Sequence, residues 1–272
     1  MPIHIRLPCR IATLLALGLF LTSQTSPSGE PAPSERIDVS QFRLVFNEEF
    51  ETLDVSANGP GTRWTAHTPW NGDFGDAVFT DPGPGFPFTV ADGILRIEAK
   101  KDGTGQWRSG LLASANSTGI GFSRQYGYFE LRARLPKGPG VWPAFWLASI
   151  ADNAAPAGVE IDILEHYGHF PADFHSVMQV WFAGGRNRSE NHIHPVRQDS
   201  LYEDFNTYGV LVEPEWTRFF FNRVEYWKVR TPMEHTRPLL VLLNLALGSG
   251  WPIVDTPEPS HMYVDYIKVY EK

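Results

Sequence analysis

From about residue 39 to the end, short apolar runs recur without the periodicity of a long amphipathic helix. Phe42–Phe46, Ile94–Ala99, Tyr128–Leu135, Val159–Leu164, Val177–Trp181, Tyr208–Val212, Arg218–Phe221, Leu239–Leu245 and Met262–Tyr270 all read as strands. Clusters of Gly, Pro, Asn and Asp separate them, which accounts for many of the 24 Gly and 22 Pro. Asn222-Arg223 can close a hairpin between Phe221 and Val224, although Arg is a poor second turn residue. Many short strands joined by turns can bury their apolar faces only by packing sheet on sheet or by closing a barrel. The expected fold class is therefore all-β.

Residues 1–25 read as a secretory signal: Arg6 and Arg10, a short apolar core over 11–21, then small polar residues. An uncleaved membrane anchor is the alternative. The run is too short to span a bilayer comfortably. The Pro/Ser-rich stretch over 26–38 reads as a linker, leaving one domain over 39–272. Cys9, the single cysteine, falls in the signal, so disulfides and thiolate catalysis are excluded from the exported chain. The signal carries two of the 23 basic residues and no acid, leaving 21 basic against 31 acidic, a formal charge of −10. That balance argues against nucleic acid as a partner. The expected product is a secreted or periplasmic monomer, free of the membrane once the signal is cleaved.

Within GVEIDILEHYG (158–168) the apolar residues favour a strand, yet three acids interrupt it. Alternation puts Glu160 and Asp162 on one face, and the third acid, Glu165, comes one residue late. A β-bulge around Ile163–Leu164 would absorb the spare residue and return Glu165 to that face. The two Glu Cα atoms would then lie about 13 Å apart. Inward-leaning side chains would bring the carboxyls toward the ~5–5.5 Å of a retaining glycosidase. One carboxyl must be ionised to attack, and the other protonated to donate. Asp162 between them helps set those states. The same acids are also compatible with a solvated strand face or with calcium. Zinc is a further option through His166, His169, His175, His192 and His194. Upstream, VWPAFWL (141–147) places Trp142, Ala144 and Trp146 on one face, where two indoles flanking a methyl suit a sugar or a core. Pro143 lacks a ladder donor, which implies an edge or an interruption there.

These residues resemble glycoside hydrolase family 16, the laminarinase, lichenase, agarase and carrageenase clan. The resemblance rests on LVFNEEF (44–50), YGYFELRARLP (126–136), WPAFWL (142–147), EIDILE (160–165), LNLALG (243–248) and MYVDYIKVY (262–270), in that order. It implies a β-jelly-roll sandwich of two antiparallel sheets with a concave glycan-binding cleft. It makes Glu160 the nucleophile, Asp162 its helper and Glu165 the general acid/base of an endo-β-glycanase, and the spacing matches the bulged E-x-D-x-x-E form. Trp142, Trp146 and His175 match positions near the substrate, and Trp70 and Trp107 are further subsite candidates. No cofactor is needed for the chemistry. The resemblance also implies a structural calcium, held by the Asp265 side chain and carbonyls near Glu49 and Gly93. Two departures touch recognition. GDAVF (75–79) stands where laminarinases carry N-E-x-Q-x-Y, and Gln179 stands where a second His is usual. The expected substrate is a β-1,3- or mixed β-1,3/1,4-glucan, or a related exopolysaccharide. A transglycosylase and a non-catalytic glycan-binding module are the alternatives.

Overall fold

The computed structural model describes residues 35–70, 72–150 and 155–272. The expected signal and residues 26–34 of the expected linker lie outside those residues. The domain begins earlier than the expected residue 39. Glu35 already accepts a backbone bond from Glu225, Arg36 bridges Val224, and the Ile37 N–H reaches the Arg223 carbonyl at 3.0 Å. Composition marked this stretch as linker because its docking depends on backbone pairing with a distant hairpin.

Two large sheets pack face to face as a jelly roll, one of ten strands and one of nine. Pairing is antiparallel except at two short parallel pairs, Val55–Ser56 with Trp64–Thr65 and Val78–Phe79 with Trp107–Ser109. The expectation of purely antiparallel sheets is corrected to that extent. Among the described residues, helix is confined to a 3-10 turn at Val39–Gln41 and one α turn at Ser200–Glu203.

The strand Leu239–Leu247 shows how the sequence builds the sandwich. Leu239, Val241, Leu243, Leu245 and Leu247 enter the core between the sheets. Leu240, Leu242 and Ala246 join a second apolar cluster on the outer face of the nine-stranded sheet. The strand is thus buried on both faces and reads as one apolar run. Beside it in the same sheet lie Val141–Ser149, then Ala157–Glu165, Asp173–Phe182 and finally Arg188–Pro195 at the edge. Val141–Ser149 is a central strand, so of the edge or interruption that Pro143 implied it is the interruption that occurs: pairing with Ala157–Glu165 stops at Ala144. The Pro143 carbonyl accepts from the His166 N–H, just past Glu165, where the neighbouring ladder ends, so no donor is required of it there.

On the opposite sheet, Phe221 and Val224 pair through the tight turn that the sequence suggested. Asn222 and Arg223 both take positive φ, 49° and 64°. Arg223 is held there by its side chain. Its Nε and Nη2 reach the two oxygens of fully buried Glu130 at 2.9 and 2.8 Å. The Tyr128 and Tyr266 hydroxyls also donate to that carboxylate, each at 2.9 Å.

Candidate active site

Pairing along Ala157–Glu165 is regular up to Asp162, which lies opposite Trp146 on one side and Val177 on the other. The next pairs are Leu164 with Phe145 and Glu165 with His175. One extra residue has therefore been taken up at Ile163–Leu164, the bulge expected from the late glutamate. Ile163 and Leu164 are both fully buried in the inter-sheet core. Two consecutive apolar residues pointing inward require the chain to bulge, and Glu165 returns to the face of Glu160 and Asp162.

All three carboxyls line one cleft of about 340 Å3, together with Trp70, Phe74, Trp142, Trp146, Val177 and Gln179. Burial pushes the Glu160 carboxyl up to about 7, opposed by the Trp181 indole and reinforced by the Glu165 charge. Asp162, only 8% exposed, is raised well above the carboxylate range by burial and then by its two neighbours. Glu165 is raised by burial, while the Trp142 and Tyr167 donors pull it back. Both donors converge on one oxygen: Trp142 Nε1 at 3.0 Å and the Tyr167 hydroxyl at 3.2 Å from Glu165 Oε1. The trio is thus neither a solvated strand face nor a set of ordinary acids. Burial raises all three carboxyls in one partly dry site, the condition under which one carboxyl can donate while another attacks.

The tryptophans divide differently from the sequence expectation. Trp142 stays half-buried in the cleft and donates to Glu165 as well as lining the floor. Trp146 is 6% exposed, and its Nε1 donates to Asn244 at 2.8 Å. Phe74 lies against both indoles, its ring edge-on to them at 5.5 and 5.9 Å. Trp70 is 40% exposed and lies 5.7 Å from Trp146 at the cleft rim. Trp107 is a correction: it is 5% exposed and belongs to the inter-sheet core, because its short strand joins the opposite sheet. His175 lies opposite Glu165 and packs on the edge of Tyr167 at 4.9 Å.

Gln179, which the sequence marks only as a departure at a recognition position, and Trp181, which it marks only as the end of a strand, complete this wall. Both follow from alternation after His175, and both face the acids: Gln179 pairs with Glu160, and Trp181 is 47% exposed beside it. A recess of about 300 Å3 continues the cleft past Glu160 between Trp181 and Trp70. Phe74 and Tyr167 lie outside the strands, where period-two alternation gives no signal.

The metal expectations meet a different chemistry. The Asp265 carboxylate is taken by the Arg132 guanidinium, and the Glu49 side chain by Lys268. Gly93 does sit beside the Glu49 carbonyl, 3.6 Å from where a Cβ would project. A guanidinium on the one proposed side-chain ligand does not fit calcium there, since it supplies the positive charge itself. Chelation with EDTA is expected to leave the melting temperature unchanged. A fall of several degrees, reversed by calcium, would show that Arg132 yields to a cation. The histidines considered for zinc are dispersed. His166 bonds the Asp173 carbonyl and Tyr202, and His192 and His194 pack on Tyr226. Among the described residues no group of three or more His, Cys, Asp or Glu could hold a metal.

The family model of glycosyl hydrolases family 16 matches residues 88–268, which include every acid of the cleft. The chain belongs to glycosyl hydrolase family 16. Among relatives, it is 30% identical over 269 residues to the endo-1,3-1,4-beta-glycanase ExsH of Rhizobium meliloti strain 1021, covering 87% of this chain and 55% of ExsH. It is also 30% identical to a beta-glucanase of Rhodothermus marinus over 211 residues, 66% of this chain and 69% of that protein. The chain thus spans little more than half of ExsH, and 53% of the related endo-1,3-1,4-beta-glycanase EglC of the same organism. Among solved structures, the catalytic domain of an endo-1,3-beta-glucanase (laminarinase) from Thermotoga petrophila RKU-1 superposes with a TM-score of 0.66 at 26% identity. That match covers 85% of this chain and 98% of the laminarinase domain. The family 16 jelly roll therefore extends beyond the acid strand to nearly the whole described domain.

Proposed function

We propose that this family 16 protein is an exported, monomeric, retaining endo-β-glucanase acting on β-1,3- or mixed β-1,3/1,4-linked glucan. One observation carries the reading: the bulge at Ile163–Leu164 brings Glu165 into the same buried cleft as Glu160 and Asp162. The Glu160 carboxylate attacks the anomeric carbon while the Glu165 carboxyl gives its proton to the departing glycosidic oxygen. The C–O bond breaks and a glycosyl ester forms on Glu160. Glu165, now ionised, takes a proton from water as that water attacks the same carbon. Glu160 is released, and two inversions give net retention. Asp162, whose carboxyl is raised by burial, shares the face of the nucleophile, where burial disfavours a second full charge. The names of the relatives, endo-1,3-1,4-beta-glycanase and beta-glucanase, support the substrate class. The aromatic walls formed by Trp70, Trp142 and Trp181 suit the C–H faces of a pyranose chain.

The test is cleavage of laminarin and lichenan followed by proton NMR in the first minutes. New reducing ends that appear first as the β anomer are expected. An initial α anomer would sink the retaining mechanism. Binding of oligosaccharides without new reducing ends on either polymer would sink the enzyme.

A further inference from the structure

The bulge that delivers Glu165 leaves backbone groups out of the ladder. Ile163 has no partner in the register of either neighbouring strand. Its carbonyl is nevertheless satisfied: the Ser176 hydroxyl donates to it at 2.8 Å. Ser176 is fully buried and comes from the strand Asp173–Phe182, where Phe174, Met178 and Val180 fill the other inward positions. An apolar residue would suit that alternation, so the hydroxyl is the exception. Ser176 Oγ lies 2.6 Å from the Tyr226 hydroxyl. With the Ser176 proton on the Ile163 carbonyl, Tyr226 is the donor. Tyr226 belongs to the strand Val224–Arg230 of the opposite sheet. The chain Tyr226–Ser176–Ile163 therefore crosses the core and ends on the bulge.

We propose that Ser176 and Tyr226 are positioning residues that hold the bulge in the register placing Glu165 in the cleft. A strand can relieve an unpaired carbonyl by slipping one residue, and a one-residue slip exchanges its faces. For this strand the slip would turn Leu164 toward the cleft and Glu165 toward the core. The hydroxyl chain opposes it by giving the bulged carbonyl a partner that regular pairing cannot supply. The inference rests on the reading of Glu165 as the acid.

The test exploits the one step that needs that acid. A dinitrophenyl β-glucoside oligomer has a leaving group that departs unprotonated, whereas a glucan does not. For Ser176→Ala, kcat/KM on glucan is expected to fall about 10- to 100-fold, as for a small misplacement of a reacting group. On the dinitrophenyl substrate it should stay within about threefold, because that step needs no acid. Tyr226→Phe, which removes only an oxygen, should show the same pattern more weakly and carries the test if Ser176→Ala fails to fold. Equal losses on both substrates would reveal a merely structural role and overturn the proposal, as would no loss on glucan. Glu165→Gln is the separate control. If it retains glucan cleavage, the acid assignment itself fails, independently of what Ser176 does.

Discussion

Glu160→Gln is expected to lower glucan cleavage by roughly 10^4-fold or more while the protein stays folded, if Glu160 is the nucleophile proposed above, since a nucleophile has no substitute within its own constellation. The change keeps the side chain's shape and removes only its ability to ionise and attack. Because burial raises the Glu160 carboxyl from its ordinary 4.5 to about 7, wild-type activity should fall on the acid side near neutrality. The same shift fixes the sign of the stability effect. A carboxyl with a raised folded pKa contributes stability that is fully present below 4.5 and lost as pH rises through about 7. Above that pH the wild type holds a charge in a partly dry cleft, and the amide does not. The melting temperature of Glu160→Gln should therefore exceed that of the wild type by a margin that grows from pH 5 to pH 8. Full activity in the variant would remove Glu160 from the mechanism, and a margin that shrinks with pH would mean that its carboxyl is not raised.

Arg223→Gly should destabilise the domain, although it relaxes the backbone. Arg223 sits at φ 64° in a turn where glycine is at ease, and removing the Cβ there contributes about 1 kcal/mol. Against this, fully buried Glu130 loses its bidentate partner, and an uncompensated buried charge costs about 3–5 kcal/mol. The clamp outweighs the turn, leaving a net loss of about 2–4 kcal/mol. For a domain of this size that lowers the melting temperature by roughly 5–15 °C. Thermal unfolding followed by circular dichroism reads it directly, and an unchanged or higher midpoint would mean that backbone strain dominates. The clamp lies on the sheet opposite the cleft, so kcat of the folded variant should be unaffected.

Most strands were legible because alternation reports burial locally. Leu239–Leu247 and Ser260–Glu271 could hardly be anything else. Arg188–Pro195 escaped notice because it is polar and edge-lying, held by pairing to Asp173–Phe182 and not by an apolar face of its own. Asp173–Phe182 was read only from Val177 because His175 and Ser176 broke its apolar run, and those two residues turn out to flank the bulge. Trp107 was misplaced for a different reason. A tryptophan between loops is ambiguous until the sheet that its strand joins is known.

In 158–168, the order of acids and apolar residues raised the bulge as an expectation, and the strand register decided it. Ile163 and Leu164 both gain by leaving water, and only an extra residue lets both do so while Glu165 faces the acids. The dryness of the cleft, and with it the raised carboxyls, came from packing. So did Phe74 against the indoles, the guanidinium on Asp265 and the hydroxyl chain under Ile163. Each of these joins groups far apart in the chain, and the energies involved depend on distance and on excluded water, which exist only once the two sheets have closed.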